Sequence, residues 1–126
     1  MDADAAALFP SGDSRLPWQQ YSDFVRSPKY RSANLLVTCS DCHDPHSGKT
    51  ILPAQINALC LQCHSAPGRQ NAPVIEPLAH SHHAAGSTGN QCISCHMPTT
   101  TYMQVDPRHD HSFRIPRPDR TVSLGT

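Results

Sequence analysis

No apolar run in this 126-residue chain approaches the ~18 residues that a membrane-crossing helix needs. Charge of one sign is missing too. Ten Lys and Arg stand against ten Asp and Glu, leaving no net charge with His neutral. A nucleic-acid-binding chain carries a basic footprint, so that class has no support. Apolar content is only 37%, aromatic content 6%, and 12 Pro interrupt the chain. That composition lies close to chains that cannot bury enough surface to offset the entropy of folding. A secretion leader is also absent. Asp2 and Asp4 occupy the place of its basic region, and Ala5-Ala6-Ala7-Leu8-Phe9 is too short for its apolar region. The numbering is therefore expected to start at a mature or trimmed chain. Finally, no cysteine lies outside a single recurring motif.

That motif is what the chain has in abundance. Cys-x-x-Cys-His occurs as Cys39-Ser40-Asp41-Cys42-His43, Cys60-Leu61-Gln62-Cys63-His64 and Cys92-Ile93-Ser94-Cys95-His96, using all six Cys. It is the attachment pattern of c-type haem. Two thiols three positions apart each add to one vinyl group of a porphyrin, and the adjoining His becomes the proximal iron ligand. Two other readings compete. Paired Cys can hold structural zinc, and six Cys can form three disulfides. Neither needs His directly after the second Cys. With nine His in 126 residues, three such coincidences have a chance of about four in ten thousand. Three covalently attached haem c groups are therefore expected, held by Cys39, Cys42, Cys60, Cys63, Cys92 and Cys95, with His43, His64 and His96 on the irons.

The expected fold is mostly irregular with a few short helices, a small multihaem cytochrome c domain whose core is the haems. Haem-free chain should be unfolded. Residues 1–34 hold no motif. They form an N-terminal arm that either wraps its own surface or docks on a neighbouring subunit, anchored by Trp18, Tyr21, Phe24 and Tyr30. Residues 35–113 form the trihaem domain. Residues 114–126 form a Pro- and Arg-rich tail in which Pro116 and Pro118 argue against helix. Leu35, Leu36 and Val37 are expected to pack on a porphyrin. Ile56, Leu59, Cys60 and Cys63 predict a helix over 54–64, opened by Pro53. Residues 65–91 read as a loop, and residues 99–105 as one strand. The first cysteines stand at 39, 60 and 92, so the spacings are 21 and 32 residues and no structural repeat is expected.

The sixth iron ligand decides the chemistry. Six His remain after the proximal three: His46, His80, His82, His83, His109 and His111. Imidazoles on both faces give a closed, low-spin iron that relays electrons and leaves no place for a substrate. Met97 directly follows a proximal His and cannot reach the far side of that haem. Met103 is a minor candidate. His46 lies three residues after His43 and would ligate a neighbouring haem, unless it is a surface His in the turn at Pro45. From the 80–83 cluster one or two ligands are expected. Phe113 would shield His111, while His109, between Arg108 and Asp110, looks solvated.

Two stretches carry a resemblance. One runs from Cys39 through Cys42, His43, Asp44, Pro45 and His46 to Gly48, followed by Asn57-Ala58-Leu59-Cys60-Leu61-Gln62-Cys63-His64. The other runs from Gln91 to Asp119, through Cys95-His96-Met97-Pro98, Tyr102-Met103-Gln104-Val105-Asp106-Pro107-Arg108 and Asp110-His111-Ser112-Phe113-Arg114-Ile115-Pro116. Together they resemble the haem region of multihaem cytochromes with doubled motifs, often joined to tetratricopeptide repeats. More distantly they are similar to the pentahaem nitrite reductase and hydroxylamine oxidoreductase superfamily. The resemblance covers about residues 23–119. It implies distal roles for His46, His80 or His83, and His111, and tightly stacked haem pairs. Tetratricopeptide helices are not seen in the chain, and the catalytic haem of those enzymes finds no counterpart.

The function expected is electron transfer through closely stacked bis-His haems. A self-assembling extracellular or cell-surface filament subunit is favoured, meeting redox proteins or extracellular acceptors. The alternatives are a soluble periplasmic shuttle and an enzyme acting on nitrite or hydroxylamine. The enzyme reading would use Arg108, Arg114 and Arg117 as anion binders; their other use is to pair with haem propionates or with a neighbouring chain. No catalytic residue is assigned.

Overall fold

The computed structural model describes Leu8, Arg15 and residues 18–32, 37–69 and 72–125. Leu35 and Leu36, expected against a porphyrin, lie outside the described residues, as does half of the N-terminal arm.

Helix α1 (Gln19–Arg26) buries Gln19, Asp23 and Phe24 on one face. Gln19 and Asp23, four apart, share a helix side, and Phe24 lies at the edge of that inward face. Asp23 is fully buried and holds Arg26 Nη2 at 2.6 Å. Ser27 turns the chain out of α1 and caps the next helix, its Oγ accepting from Tyr30 N at 3.2 Å. Pro28 opens α2 (Pro28–Arg31), where its fixed φ suits the first position. The two helices close on the far end of the chain through aromatics. Phe24 meets Tyr30 edge-on at 5.4 Å and Phe113 at 6.4 Å.

A 3-10 turn over Cys39–Asp41 starts the first motif, with Thr38 and Asp41 forming a reciprocal capping box. Helix α3 (Ala58–His64) carries the second motif and α5 (Cys92–His96) the third. Between them, α4 (Pro77–Ser81) and a 3-10 turn over Thr88–Asn90 interrupt what reads in the sequence as loop. Both are short, and α4 depends on Pro77 at its first position and on Glu76 accepting from Ala79 N.

Three sequence expectations are corrected. The helix anticipated from Ala54 begins at Ala58, because Asn57 takes φ 63, a left-handed turn that no helix continues through. The strand anticipated over 99–105 is a hairpin. Strand β1 (Thr99–Tyr102) pairs antiparallel with β2 (Asp106–His109), in register from Thr99↔His109 to Tyr102↔Asp106. Met103 and Gln104 reverse the chain with φ 50 and 67. Neither is Gly, Asn or Asp, so the usual hairpin signal is missing. The tail, expected not to be helical, forms α6 (Pro118–Leu124). Pro118 sits at its first position, where the missing N–H costs nothing, and Pro116 lies outside it.

The chain is thus mostly irregular, with a few short helices and one two-stranded sheet. Only Phe24, Ala54 and Ala72 are buried apolar residues among those described. Ile56, Val105 and Val122 are 71%, 82% and 87% exposed. The described residues by themselves have almost no apolar core.

Candidate haem-binding site

Each motif lies on a tight turn, and the reason is local. Thiols at i and i+3 and an imidazole at i+4 share one side only when the chain coils. The first motif does this with a 3-10 turn, the others with α3 and α5. All six cysteines are free. Among the described residues no three His, Cys, Asp or Glu side chains converge on a metal position. A structural zinc site needs about four convergent ligands, so the zinc reading finds no geometry here.

The three proximal imidazoles share one arrangement. His43 Nδ1 lies 2.9 Å from Gly48 O, His64 Nδ1 2.9 Å from Pro73 O, and His96 Nδ1 2.8 Å from Arg114 O. A carbonyl only accepts, so Nδ1 carries the proton in each ring. Nε2 is left with its lone pair exposed. This is the second-shell bond that orients metal-ligating imidazoles. The carbonyl for His43 is presented by a tight loop. Asp44 Oδ1 accepts from His46 N at 2.9 Å and Ser47 N at 2.8 Å, and Gly48 closes it at φ 69. Only Gly adopts that conformation without strain.

Two of the proximal rings face a second imidazole. His43 and His111 have ring centres 6.2 Å apart and planes 23° apart. His96 and His80 have centres 6.0 Å apart and planes 21° apart. Two imidazoles ligating one metal from opposite sides, with metal–nitrogen distances of about 2 Å, hold their centres about 6 Å apart. Both pairs match that spacing, and the thiols beside His43 and His96 match the attachment chemistry. The residues fit haem. His111 is oriented as the proximal rings are, with Nδ1 2.8 Å from His109 O. Burial pushes the His111 and His64 imidazoles below their ordinary 6.5, which favours the neutral, ligating form.

The remaining predicted ligands stand elsewhere. His46 is exposed in the turn after the first motif. His83 is exposed with its ring against Gly89, where an added Cβ would come within 2.6 Å of it. His82 ends α4 in a left-handed conformation. His109 Nδ1 lies 2.7 Å from Met97 O, and Met103 is 75% exposed at the hairpin tip. His64 faces no imidazole among the described ring pairs; its Nε2 lies 3.1 Å from Lys29 Nζ.

Two residues missed in the sequence tie the motifs together. Asn57, 5% exposed, donates Nδ2 to Asn90 O at 2.7 Å and accepts from Cys92 N at 2.8 Å. It pins the start of α3 to the start of α5. As free thiols Cys60 and Cys92 then share a hydrogen bond, which lowers Cys92 to about 7 and raises Cys60. The second is Asp110, fully buried, which accepts from Ser112 N at 2.7 Å, from Ser112 Oγ at 2.8 Å and from Arg114 Nε. It bends the chain so that His111 reaches His43 while the Arg114 carbonyl reaches His96. An Asn and an Asp two before a Ser are the only sequence hints, and both are common turn signals.

The three arginines considered as anion binders are engaged by the chain's own carboxylates. Arg108 Nε meets Asp106 Oδ2 at 2.6 Å, Arg117 Nη2 meets Asp119 Oδ2 at 2.6 Å, and Arg114 meets Asp110.

A family model described as a doubled CXXCH motif matches residues 34–68, the span of the first two motifs. No curated protein and no solved structure matches the chain. The doubled motif over this part of the chain suggests a haem-binding c-type cytochrome, and it implies covalently bound haem c. Such cytochromes serve electron transfer and are usually not enzymes. No helix among the described residues is long and apolar enough to cross a membrane.

Proposed function

We propose that this chain is a trihaem c-type cytochrome that relays electrons, with the third haem on Cys92 and Cys95 beside the matched pair of motifs. The observation that carries this reading is the pair of opposed imidazoles, His43 with His111 and His96 with His80, at 6.2 and 6.0 Å. When bound, haem supplies one-electron redox chemistry. The chain's own residues do the rest. His43 with His111, and His80 with His96, would hold two of the groups, and iron held by both imidazoles would keep no position open to a substrate. Backbone carbonyls hold the proximal rings in one tautomer. Asn57 holds the second and third motifs together by its bonds to Asn90 O and from Cys92 N.

The bare polypeptide supports haems as its core. The exposed Ile51, Leu52, Ile56 and Leu78 are apolar surface that porphyrins would cover. Haem c is attached outside the cytoplasmic membrane, so the compartment proposed is the cell exterior or surface, or else the periplasm. For assembly we favour a head-to-tail filament. It is supported by exposed apolar side chains on α1 (Tyr21, 63%) and on the tail (Ile115, 78%; Val122, 87%), because a contact between unlike ends that does not close propagates.

Optical counting of haem on purified protein, with low-temperature electron paramagnetic resonance of the oxidised form, tests the reading. Three haems per chain are expected, with low-spin signals from the His43/His111 and His80/His96 irons. High-spin iron at either pair would refute the relay. Electron microscopy showing only monomers at high concentration would remove the filament and leave a soluble shuttle.

A further inference from the structure

His64 is the proximal ligand whose opposite side the imidazole pairs leave unexplained. Its Nδ1 is committed to Pro73 O at 2.9 Å, so the lone pair is on Nε2. The nitrogen facing that lone pair is Lys29 Nζ, at 3.1 Å. The contact joins residues 35 positions apart, so no local turn forces it. Lys29 is delivered by a built element. Ser27, 1% exposed, caps α2, and Pro28 sets its first turn. Tyr30, the neighbour of Lys29, is clamped against Phe24, and the Lys29 amine itself lies 4.9 Å over the Phe113 ring. No remaining His is placed there. His46, His82, His83 and His109 belong to none of the imidazole pairs among the described residues, and the first three lie on turns or at a helix end.

We propose that the ε-amine of Lys29 is the sixth ligand of the iron bound by His64, giving the second haem His/Lys ligation. The inference rests on the reading of the chain as a trihaem cytochrome and deepens it. Two nitrogens ligating one metal from opposite sides stand about 4 Å apart. Lys29 therefore needs to withdraw by about 1 Å, which its flexible four-carbon stem allows. An amine ligates through its lone pair, so the ammonium releases one proton as the nitrogen–iron bond forms. No oxidation state changes in that step. Phe113, its ring 4.9 Å from the Lys29 amine, would cover one side of the bound amine. The second haem thus differs from its neighbours in electronic character, although its attachment motif is the same.

The test compares oxidised, fully haem-loaded protein with Lys29→Arg, Lys29→Ala and Lys29→His variants, by electron paramagnetic resonance and near-infrared magnetic circular dichroism. Haem is counted in each. Wild type should show two bis-imidazole irons and one imidazole/amine iron. Lys29→Arg keeps charge and length but cannot ligate, because the guanidinium stays protonated. It and Lys29→Ala should each move one third of the iron out of the imidazole/amine signal, to high spin. Lys29→His should restore low spin with bis-imidazole character. A Lys29→Arg spectrum identical to wild type, with three haems present, would overturn the proposal and assign Lys29 to charge pairing or to Phe113. That outcome leaves the trihaem reading intact. Fewer than three haems in wild type, or high-spin iron at the His43 and His96 sites, would instead overturn the reading on which the proposal rests.

Discussion

Asn57 is the residue on which the joint between the second and third motifs depends, and its contribution can be worked from the structure. It makes two hydrogen bonds, to Asn90 O at 2.7 Å and from Cys92 N at 2.8 Å, in a part-buried position. Each is worth about 1–1.5 kcal/mol when its partner is left without a replacement. It also sits at φ 63, where a residue other than Gly, Asn or Asp costs roughly 1 kcal/mol more. Asn57→Ala should therefore destabilise the folded holoprotein by about 3–4 kcal/mol. Asn57→Gly loses the same bonds but relieves the backbone, so it should cost about 1 kcal/mol less, some of which Gly returns as chain entropy. The assay is guanidinium unfolding followed at the haem Soret band, with free energies by linear extrapolation. The difference between the two variants is the sharper readout, because both keep all three motifs. Asn57→Ala within ~0.5 kcal/mol of wild type would refute the pin. Asn57→Gly less stable than Asn57→Ala would refute the backbone argument alone.

Asp110→Ala removes the acceptor for Ser112 and Arg114 and leaves Arg114 without its buried partner. A loss of about 3 kcal/mol is expected. Changed axial signals should follow at both His43 and His96, whereas an effect on one iron alone would contradict its bridging role. Haem-free chain, obtained by expression without the attachment machinery, should give a disordered circular dichroism spectrum; native-like helix content would show that the polypeptide folds unaided. At the tail, Arg117 lowers the exposed Asp119 carboxyl to about 2, first through its hydrogen bond. A depressed carboxylate contributes stability that is present above its unfolded value and lost as pH falls through the folded one. The pair should therefore persist at pH 3 and dissolve near pH 2. A carbon-13 titration of Asp119 with a midpoint at its ordinary 3.8 would show that the pair does not form in solution.

What the sequence by itself determined is the covalent chemistry. Three Cys-x-x-Cys-His units name the cofactor because the thiols and imidazole belong to one turn of chain, and everything that chemistry needs is local. The scarcity of apolar residues likewise announced a chain with little core of its own. Short elements escaped the sequence reading for a common reason. Met103 and Gln104 turn a hairpin without a turn residue, and Pro118 starts a helix where proline usually argues against one.

Partnership was left to the tertiary structure. The sequence put forward His46, His80 or His83, and His111 among its nine His, but nothing along the chain says which proximal ring each of them meets. His111 is 68 residues from His43 and is aimed at it by the buried Asp110 turn; His80 is carried to His96 by a five-residue helix. Lys29 reaches His64 across 35 residues through Ser27, Tyr30 and Phe113. Axial ligands approach from opposite faces of a flat group wider than any turn of chain. They therefore have to come from separate segments, and only the packing of those segments decides which pair meets.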